Sequence, residues 1–215
     1  VMAGIVEFNV RSMGDGVFRR TMSGPILLES TGSPGTTEVF AAMERSGIAL
    51  QTKTDILPSQ WTKMIVNLNN AVSALSGAST PTLLTTPGYR RVIADIIDEA
   101  LRVLKEARIQ PARLRGVPIG WMPKVLRMPT PIVRLVTRAQ MKVDPEARSS
   151  MWEDLTRRRP TEVDFLNGEV VRLAERLDTS APINGRVVAL VREAEQAGEG
   201  PPDFDAPTLE RLLRS

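Results

Sequence analysis

A polar stripe on an apolar helix is encoded by the stretch Lys63-Met64-Ile65-Val66-Asn67-Leu68-Asn69-Asn70-Ala71. Lys63, Asn67 and Asn70 lie at i, i+4 and i+7, so they share one helix face. The residues between them are apolar and need a core. Because burying an ammonium or an amide without partners costs about 2 kcal/mol or more per group, we expect internal hydrogen bonds or a polar ligand. The stretch therefore predicts one wall of a binding site, with these polar groups set into an apolar lining.

The hydrophobic period of the chain changes at Asp55. Residues 4–31 alternate between apolar and polar side chains and contain a Gly14-Asp15-Gly16 turn, so they predict two or three strands, the first at Gly4 to Val10. A short helix from Glu38 to Arg45 and one more strand are predicted after them. From Asp55 onward the period is helical, with the first helix capped by Asp55 and stopped at Gly77. Further helices are predicted at residues 89–107, 132–140, 151–157, 162–177 and 183–197. We therefore predict a mainly α chain with a β-rich piece at 1–54, a helical domain at 55–200 and a C-terminal tail at 201–215.

The composition restricts the chemistry that this chain can perform. Its 215 residues, 42% of them hydrophobic, suffice for a packed core. The sequence contains no cysteine and no histidine, which excludes thiol nucleophiles, thiolate or imidazole metal ligands and the usual physiological-pH base. We predict no metal site. Proton chemistry must use a lysine, a carboxyl, the phenol of Tyr89 or water.

Charge and hydropathy also limit the partners and the location. A net charge of +3 with 4% aromatic residues supplies neither a phosphate footprint nor a stacking platform, so we expect no nucleic-acid partner. No apolar run approaches the roughly 18 to 20 residues of a membrane span, and the N-terminus lacks a secretory signal pattern. We expect a cytoplasmic protein. Because Val1 falls within a predicted strand, we also expect the chain to be a fragment.

Lys63 and two later segments could carry chemistry, and each also has a purely structural interpretation. Lys63 could be an ordinary surface lysine, or it could donate a proton to a carbonyl oxygen that gains negative charge. Ser149 or Ser150 could cap a helix, with Glu153 completing a capping box, or bind a carboxylate at the helix start.

The run Arg157-Arg158-Arg159 is typical of a solvated surface. Glu162, with Thr161 able to cap, is predicted in the first turn of a helix, where it could fix a lysine or a substrate hydroxyl.

Taken together, four segments resemble the C-terminal half of the ketopantoate reductase (2-dehydropantoate 2-reductase) family. They are Trp61-Thr62-Lys63-Met64-Ile65-Val66-Asn67 with Asn70-Ala71, Ser149-Ser150-Met151-Trp152-Glu153-Asp154, Thr161-Glu162-Val163-Asp164-Phe165-Leu166-Asn167-Gly168, and Pro182-Ile183-Asn184. The likeness runs from about Gly4 to about Gly198. Each motif is weak alone, whereas four in order are specific.

The resemblance implies a fold and a reaction. The fold is an all-helical domain of the 6-phosphogluconate-dehydrogenase-like type, preceded by the β-rich end of a Rossmann α/β domain. The reaction is hydride transfer from NADPH to the C2 ketone of ketopantoate, a step of pantothenate biosynthesis. By the same likeness Lys63 is the general acid, Asn67 and Ser150 hold polar groups of the substrate, and Glu162 anchors the substrate hydroxyl or orients Lys63. Relatives of this fold often pair through the helical domain, so the implied partners are a 2-keto acid and a second copy of the chain.

Two features depart from the family pattern. Many relatives carry a second asparagine eight residues after the lysine, where this chain has Ala71, and Asn69 and Asn70 are the nearest replacements; we take Asn70 as a substrate-binding candidate. The glycine-rich loop that seats the cofactor pyrophosphate is absent, so no cofactor-binding residue is assigned and we expect no activity from this chain alone. Two alternatives stay open: a non-enzymatic helical module for dimerisation or ligand binding, and a reductase for another 2-keto acid.

Overall fold

The computed structural model describes residues 2–22, 24–30, 34–114, 116–138 and 147–214. The chain divides into two compact units, Val1–Trp61 and Thr62–Ser215. Within the described ranges, no helix combines the length and the apolarity that crossing a bilayer requires.

The first unit is β-rich and contains one crossover helix. Its strands and helix are β1 (Gly4–Val6), β2 (Asn9–Gly14), β3 (Val17–Met22), β4 (Ile26–Glu29), α1 (Pro34–Arg45) and β5 (Leu50–Lys53). The sheet order is β1-β4-β5, in which β1 pairs antiparallel with β4 and β5 pairs parallel with β4. The helix α1 makes the crossover that a parallel pair needs. Ile5 and Leu27 pack with Ile56 beneath this sheet.

Strands β2 and β3 form a separate hairpin around the predicted turn. Asp15 and Gly16 both have positive φ, 50° and 74°, which matches the two-residue turns that suit the twist of a hairpin. The predicted strand at Gly4 to Val10 divides into β1 and β2, because the chain leaves one sheet and enters the other near Glu7.

The second unit is helical. Its helices, counting α2, which begins at the end of the first unit, are α2 (Leu57–Asn67), α3 (Asn69–Ser76), α4 (Thr80–Thr85), α5 (Pro87–Glu106), α6 (Met122–Leu126), α7 (Thr130–Val136), α8 (Ser150–Thr156), α9 (Asn167–Arg176), α10 (Pro182–Ala197) and α11 (Ala206–Leu212). Short 3₁₀ turns at Ile119–Trp121 and Val163–Phe165 precede α6 and α9. The predicted fold class, mainly α with a small β-rich piece in front, is confirmed.

Helix α5 is the centre of this unit, and α3, α4, α6, α9, α10 and α11 pack against it. Its buried apolar residues recur at intervals of three and four, as in Val92, Ile96, Ala100 and Val103. Each buried Val, Leu or Ile contributes about 1.5–3 kcal/mol relative to exposure, so this helix supplies much of the core.

The first long helix has the ends that the sequence predicts, with one interruption. Asp55 Oδ1 accepts a hydrogen bond from Leu57 N at 3.1 Å, and Gly77 ends α3 at φ 64°. A Cβ at Gly77 would displace the Asp203 carboxylate, and the positive φ of this residue already favours glycine. Between α2 and α3, Leu68 N donates to both Met64 O, at 3.0 Å, and Ile65 O, at 3.3 Å, which marks an irregular turn.

Several sequence predictions are corrected by the structure. The helix predicted from residue 162 begins at Asn167, because Leu166 adopts φ −108° and ψ −92° and breaks the helical path. The helix predicted at 132–140 is α7, which ends at Val136, while residues 139 and 140 lie outside the described ranges. The short helices α4 and α6 were not predicted, since each has a proline in its first turn and too few residues to show a period.

The segment predicted as a C-terminal tail packs against the helices that precede it in the second unit. Phe204 N donates to Leu75 O at 2.9 Å, and the Tyr89 hydroxyl donates to Phe204 O at 3.1 Å. Asp205 caps α11 by accepting from Thr208 N at 2.9 Å. Residues 201–214 therefore close over the end of α3 and one side of α5.

Removing the Tyr89 hydroxyl should weaken the packing of residues 201–214 against α5. We expect Tyr89→Phe to lower the free energy of unfolding by about 1 kcal/mol, the usual net contribution of one internal hydrogen bond. Urea denaturation followed by tryptophan fluorescence measures the change. Arg91→Gln is the matched control, because it removes only the ion pair to Glu210 between α5 and α11 and should cost less than about 0.5 kcal/mol. Equal effects of the two variants would contradict this role for Tyr89.

Candidate active site

Lys63, Asn67 and Asn70 lie on the accessible face of α2 and α3. Lys63 is exposed and the two asparagines are half-buried, while Ile65 and Leu68 on the opposite face are fully buried. The expectation that this stripe is walled into an apolar lining is therefore corrected: the apolar face packs inward and the polar face is open. Within the part of the chain that the structure describes, the side-chain amides of Asn67 and Asn70 make no hydrogen bond, so both are available to a ligand.

The backbone beside Lys63 is fixed by its preceding residues. Trp61 and Thr62 are buried, and Thr62 Oγ1 donates to Ala112 O at 2.8 Å. This bond ties α2 to the connector that follows α5. The position of the Lys63 backbone is therefore set by packing, and its side chain is exposed.

The start of α8 lies directly against α3. Ser149 Oγ donates to Asn70 O at 3.0 Å, and Ser149 N donates to Ser73 Oγ at 3.3 Å. Ser150, the next residue, is exposed. These contacts bring Ser150 beside Asn70, although the two residues are 80 positions apart in the sequence.

Ser149 is the residue that caps α8. Its Oγ accepts from Trp152 N at 3.1 Å, which leaves Ser150 outside the cap. The predicted capping box does not form, because Trp152 occupies the third helical position and Glu153 instead pairs with Arg157 at 3.5 Å. The two serines therefore divide their roles: one caps and the other faces solvent.

Glu162 lies on a tight turn and is exposed. Thr161 Oγ1 accepts from Val163 N at 3.2 Å, and Glu162 O accepts from Phe165 N at 2.9 Å and from Leu166 N at 3.1 Å. Because this turn is 3₁₀ and α9 begins five residues later, the macrodipole argument for Glu162 does not apply. The backbone position of Glu162 is therefore set by the turn, and its side chain is exposed.

A buried hydrogen-bond network lies behind this turn. Asn167 Nδ2 donates to Asn184 Oδ1 at 3.0 Å, and Asn184 Nδ2 donates to Glu99 Oε2 at 2.8 Å and to Ile96 O at 3.2 Å. Asn167 and Asn184 are 0% exposed and Glu99 is 8% exposed. The sequence pattern alone assigns no role to Asn184 or to Glu99. The signal that could have found them is the presence of polar residues at buried positions of otherwise amphipathic helices.

Arg172 also holds the turn. Its Nη2 donates to Asp164 O at 2.7 Å, and its Nε donates to Glu169 Oε2 at 2.9 Å. Burial raises the pKa of Glu169, but hydrogen bonds from Arg176 and Arg172 outweigh that effect and hold the pKa below its usual range. Glu169 therefore stays ionised and keeps Arg172 directed at the turn.

Ala71, which departs from the family pattern, is fully buried in α3 at 0% exposure. The neighbouring Asn70 is the more accessible residue. The predicted solvated surface at Arg157-Arg158-Arg159 is also what the structure shows, since all three residues are exposed.

No positive-φ glycine of the described ranges opens a helix directly after a strand, as the glycines of a pyrophosphate-binding turn do. These glycines lie in the hairpin, in loops or after helices. Among the same residues, no three acidic side chains are grouped so that they could hold a metal ion. The arrangement is one of hydrogen-bond donors and acceptors suited to a small polar molecule.

The family model described as "Ketopantoate reductase PanE/ApbA C terminal" matches residues 55–195 of this chain. Among curated proteins, the 2-dehydropantoate 2-reductase of Pyrobaculum aerophilum is 29% identical over 154 residues, which cover 71% of this chain and 49% of the relative. The enzyme of the same name from Mesorhizobium japonicum is 30% identical over 151 residues, which cover 70% of this chain and 40% of the relative. The chain thus spans about half the length of the curated relatives it matches.

Solved structures share the fold. A ketopantoate reductase of this family from Ralstonia eutropha superposes with a TM-score of 0.70 at 24% identity, covering 92% of this chain and 60% of that one. A dimeric ketopantoate reductase from Staphylococcus aureus gives a TM-score of 0.67 at 19% identity, with 92% and 62% covered. D-mandelate dehydrogenase in complex with NADH gives a TM-score of 0.71 at 18% identity, with 91% and 63% covered.

Proposed function

Because this chain belongs to the ketopantoate reductase family, we propose that it forms the substrate-binding part of an enzyme that reduces ketopantoate to pantoate with NADPH. The observation that carries the proposal is the open polar face of α2 and α3, with Ser150 held beside it by the Ser149 contact to Asn70. We place the reaction in pantothenate biosynthesis and the protein in the cytoplasm.

The proposed roles follow the chemistry of carbonyl reduction. NADPH would supply the hydride for C2 of the keto acid, and the oxygen on that carbon would then need a proton. Lys63 Nζ is the donor that we assign to this oxygen, because an ammonium both stabilises an alkoxide and can protonate it. Asn67, Asn70 and Ser150 would hold the polar groups of the substrate, and Glu162 would accept a hydrogen bond from the substrate hydroxyl or orient Lys63.

Turnover tests the proposal directly. We expect no oxidation of NADPH by this chain with ketopantoate, and we expect activity from a longer form that carries an N-terminal nucleotide-binding half. The comparison is made spectrophotometrically with the two proteins at equal concentration. An inactive longer form that binds NADPH normally would contradict the proposal.

A second substrate class is favoured by the shared fold of D-mandelate dehydrogenase. In that case the polar face would bind another 2-keto acid, with the same role for Lys63. Calorimetric titration with ketopantoate and with phenylglyoxylate separates the two candidates, because the true substrate should bind more tightly by at least about tenfold. Tighter binding of phenylglyoxylate would replace ketopantoate in the proposal.

The dimeric state of the Staphylococcus aureus enzyme supports a homodimer for this fold. We propose that this chain pairs through its helical unit. Light scattering at several concentrations measures the mass, and a mass that stays at 23.6 kDa throughout would contradict pairing.

A further inference from the structure

Helix α10 holds the segment around Glu162 at both ends. Thr161 N donates to Glu195 Oε1 at 2.6 Å, and Asn167 Nδ2 donates to Asn184 Oδ1 at 3.0 Å. Glu195 and Asn184 lie 11 residues apart on α10, a distance of about 16 Å at 1.5 Å per residue. The segment 161–167 therefore runs along this helix in the opposite direction.

A third tether lies between these two. Arg192 Nη2 donates to Asp164 Oδ1 at 2.7 Å. Asn184, Arg192 and Glu195 are at i, i+8 and i+11, so they lie toward one side of α10. A short segment that is fixed at three points leaves Glu162 little freedom beyond its own side-chain rotamers.

The start of α10 is itself fixed from α5. Glu99 Oε1 accepts from Ile183 N at 3.0 Å, and Glu99 Oε2 accepts from Asn184 N at 2.7 Å. Because Ala181 at the N-cap position has no side-chain oxygen, Glu99 provides the cap from a different helix. Glu99 thus holds the first turn of α10 in place, and this turn anchors the Asn167 end of the segment that carries Glu162.

We propose that Glu195 is a positioning residue for Glu162: its carboxylate fixes the backbone N–H of the residue directly before Glu162 and so restricts the directions that the Glu162 carboxylate can take. This inference rests on the proposed function, in which Glu162 contacts the keto acid. Glu195 suits a test because it is only half-buried, so its replacement leaves the core intact.

Calorimetric titration of the chain with ketopantoate tests the role. Glu195→Ala should weaken binding about fivefold, the effect of one lost hydrogen bond, whereas Glu195→Gln keeps an acceptor oxygen and should bind within about twofold of the original. Glu193→Ala, on the exposed side of α10, should leave affinity unchanged. In a Glu162→Ala background, which has no acceptor left to position, Glu195→Ala should have no further effect. An equal loss in both backgrounds would overturn the positioning role.

Amide hydrogen exchange gives a reading that needs no ligand. Phe165 N and Leu166 N donate to Glu162 O, so their exchange reports whether the turn is closed. We expect exchange at these two amides to be at least about tenfold faster in Glu195→Ala and restored in Glu195→Gln, with the amides of α5 unchanged. Unchanged exchange at Phe165 and Leu166 would overturn the inference. If the unsubstituted chain fails to bind ketopantoate, the proposed function fails, and the exchange result still decides the positioning role.

Discussion

Replacing Lys63 by alanine is expected to lower kcat for ketopantoate reduction by about 10² to 10⁴, the range that a single general acid contributes. The measurement uses the longer form that carries a nucleotide-binding half. The loss should fall on kcat more than on KM, because the proton is needed only when negative charge develops on the oxygen. Stability should change little, since the side chain of Lys63 is exposed.

Two further variants make the Lys63 prediction specific. Lys63→Arg keeps the positive charge but holds its proton too tightly to donate it, so we expect KM to recover and kcat to stay low. Lys105→Ala removes another exposed helical lysine and should leave both constants unchanged. A kcat of Lys63→Ala within about twofold of the original would exclude Lys63 as the general acid.

Replacing Asn184 by alanine is expected to destabilise the helical unit by about 3 kcal/mol. The change removes the amide bonds to Glu99, Ile96 and Asn167 and leaves buried polar groups without partners, at about 1–3 kcal/mol for each such group. The Oδ1 of Asn167 already has no hydrogen-bond partner among the described residues, so its amide would become wholly unsatisfied. Urea denaturation followed by tryptophan fluorescence measures the loss.

A double-mutant cycle shows whether this loss comes from the network. Asn167→Ala and Asn184→Ala together should cost clearly less than the sum of the single changes, because the second change removes a group that the first has already left unpaired. Asn69→Ala, at a half-buried position near the start of α3, should cost less than about 0.5 kcal/mol. Additive losses at the two buried asparagines would contradict a shared network.

Local signals were enough to predict the long helices. The bounds of α5 and α10 agree with the sequence analysis to within two residues, because both helices combine a strong apolar period with clear ends. The family resemblance, which rested on four ordered motifs, is confirmed by the match over residues 55–195. These features are encoded within short stretches of the chain.

The structure around Glu162 could not be predicted in the same way. The break at Leu166 belongs to a segment held by Arg192 and Glu195, and nothing local marks it. The network of Glu99 and Asn184 joins residues 85 positions apart.

The expected burial of Lys63 was wrong for a related reason: a helical period shows which residues share a face, but not whether anything covers that face. The assigned roles stay predictions for all five candidate site residues, which are Lys63, Glu162, Asn67, Asn70 and Ser150.

The most direct test of the account is an NMR titration of this chain with ketopantoate. We expect saturable binding with the largest shift changes at Lys63, Asn67, Ser150 and Glu162, because these accessible groups form the proposed binding face. Saturable binding that leaves these four residues unchanged, or no binding at all, would contradict the account.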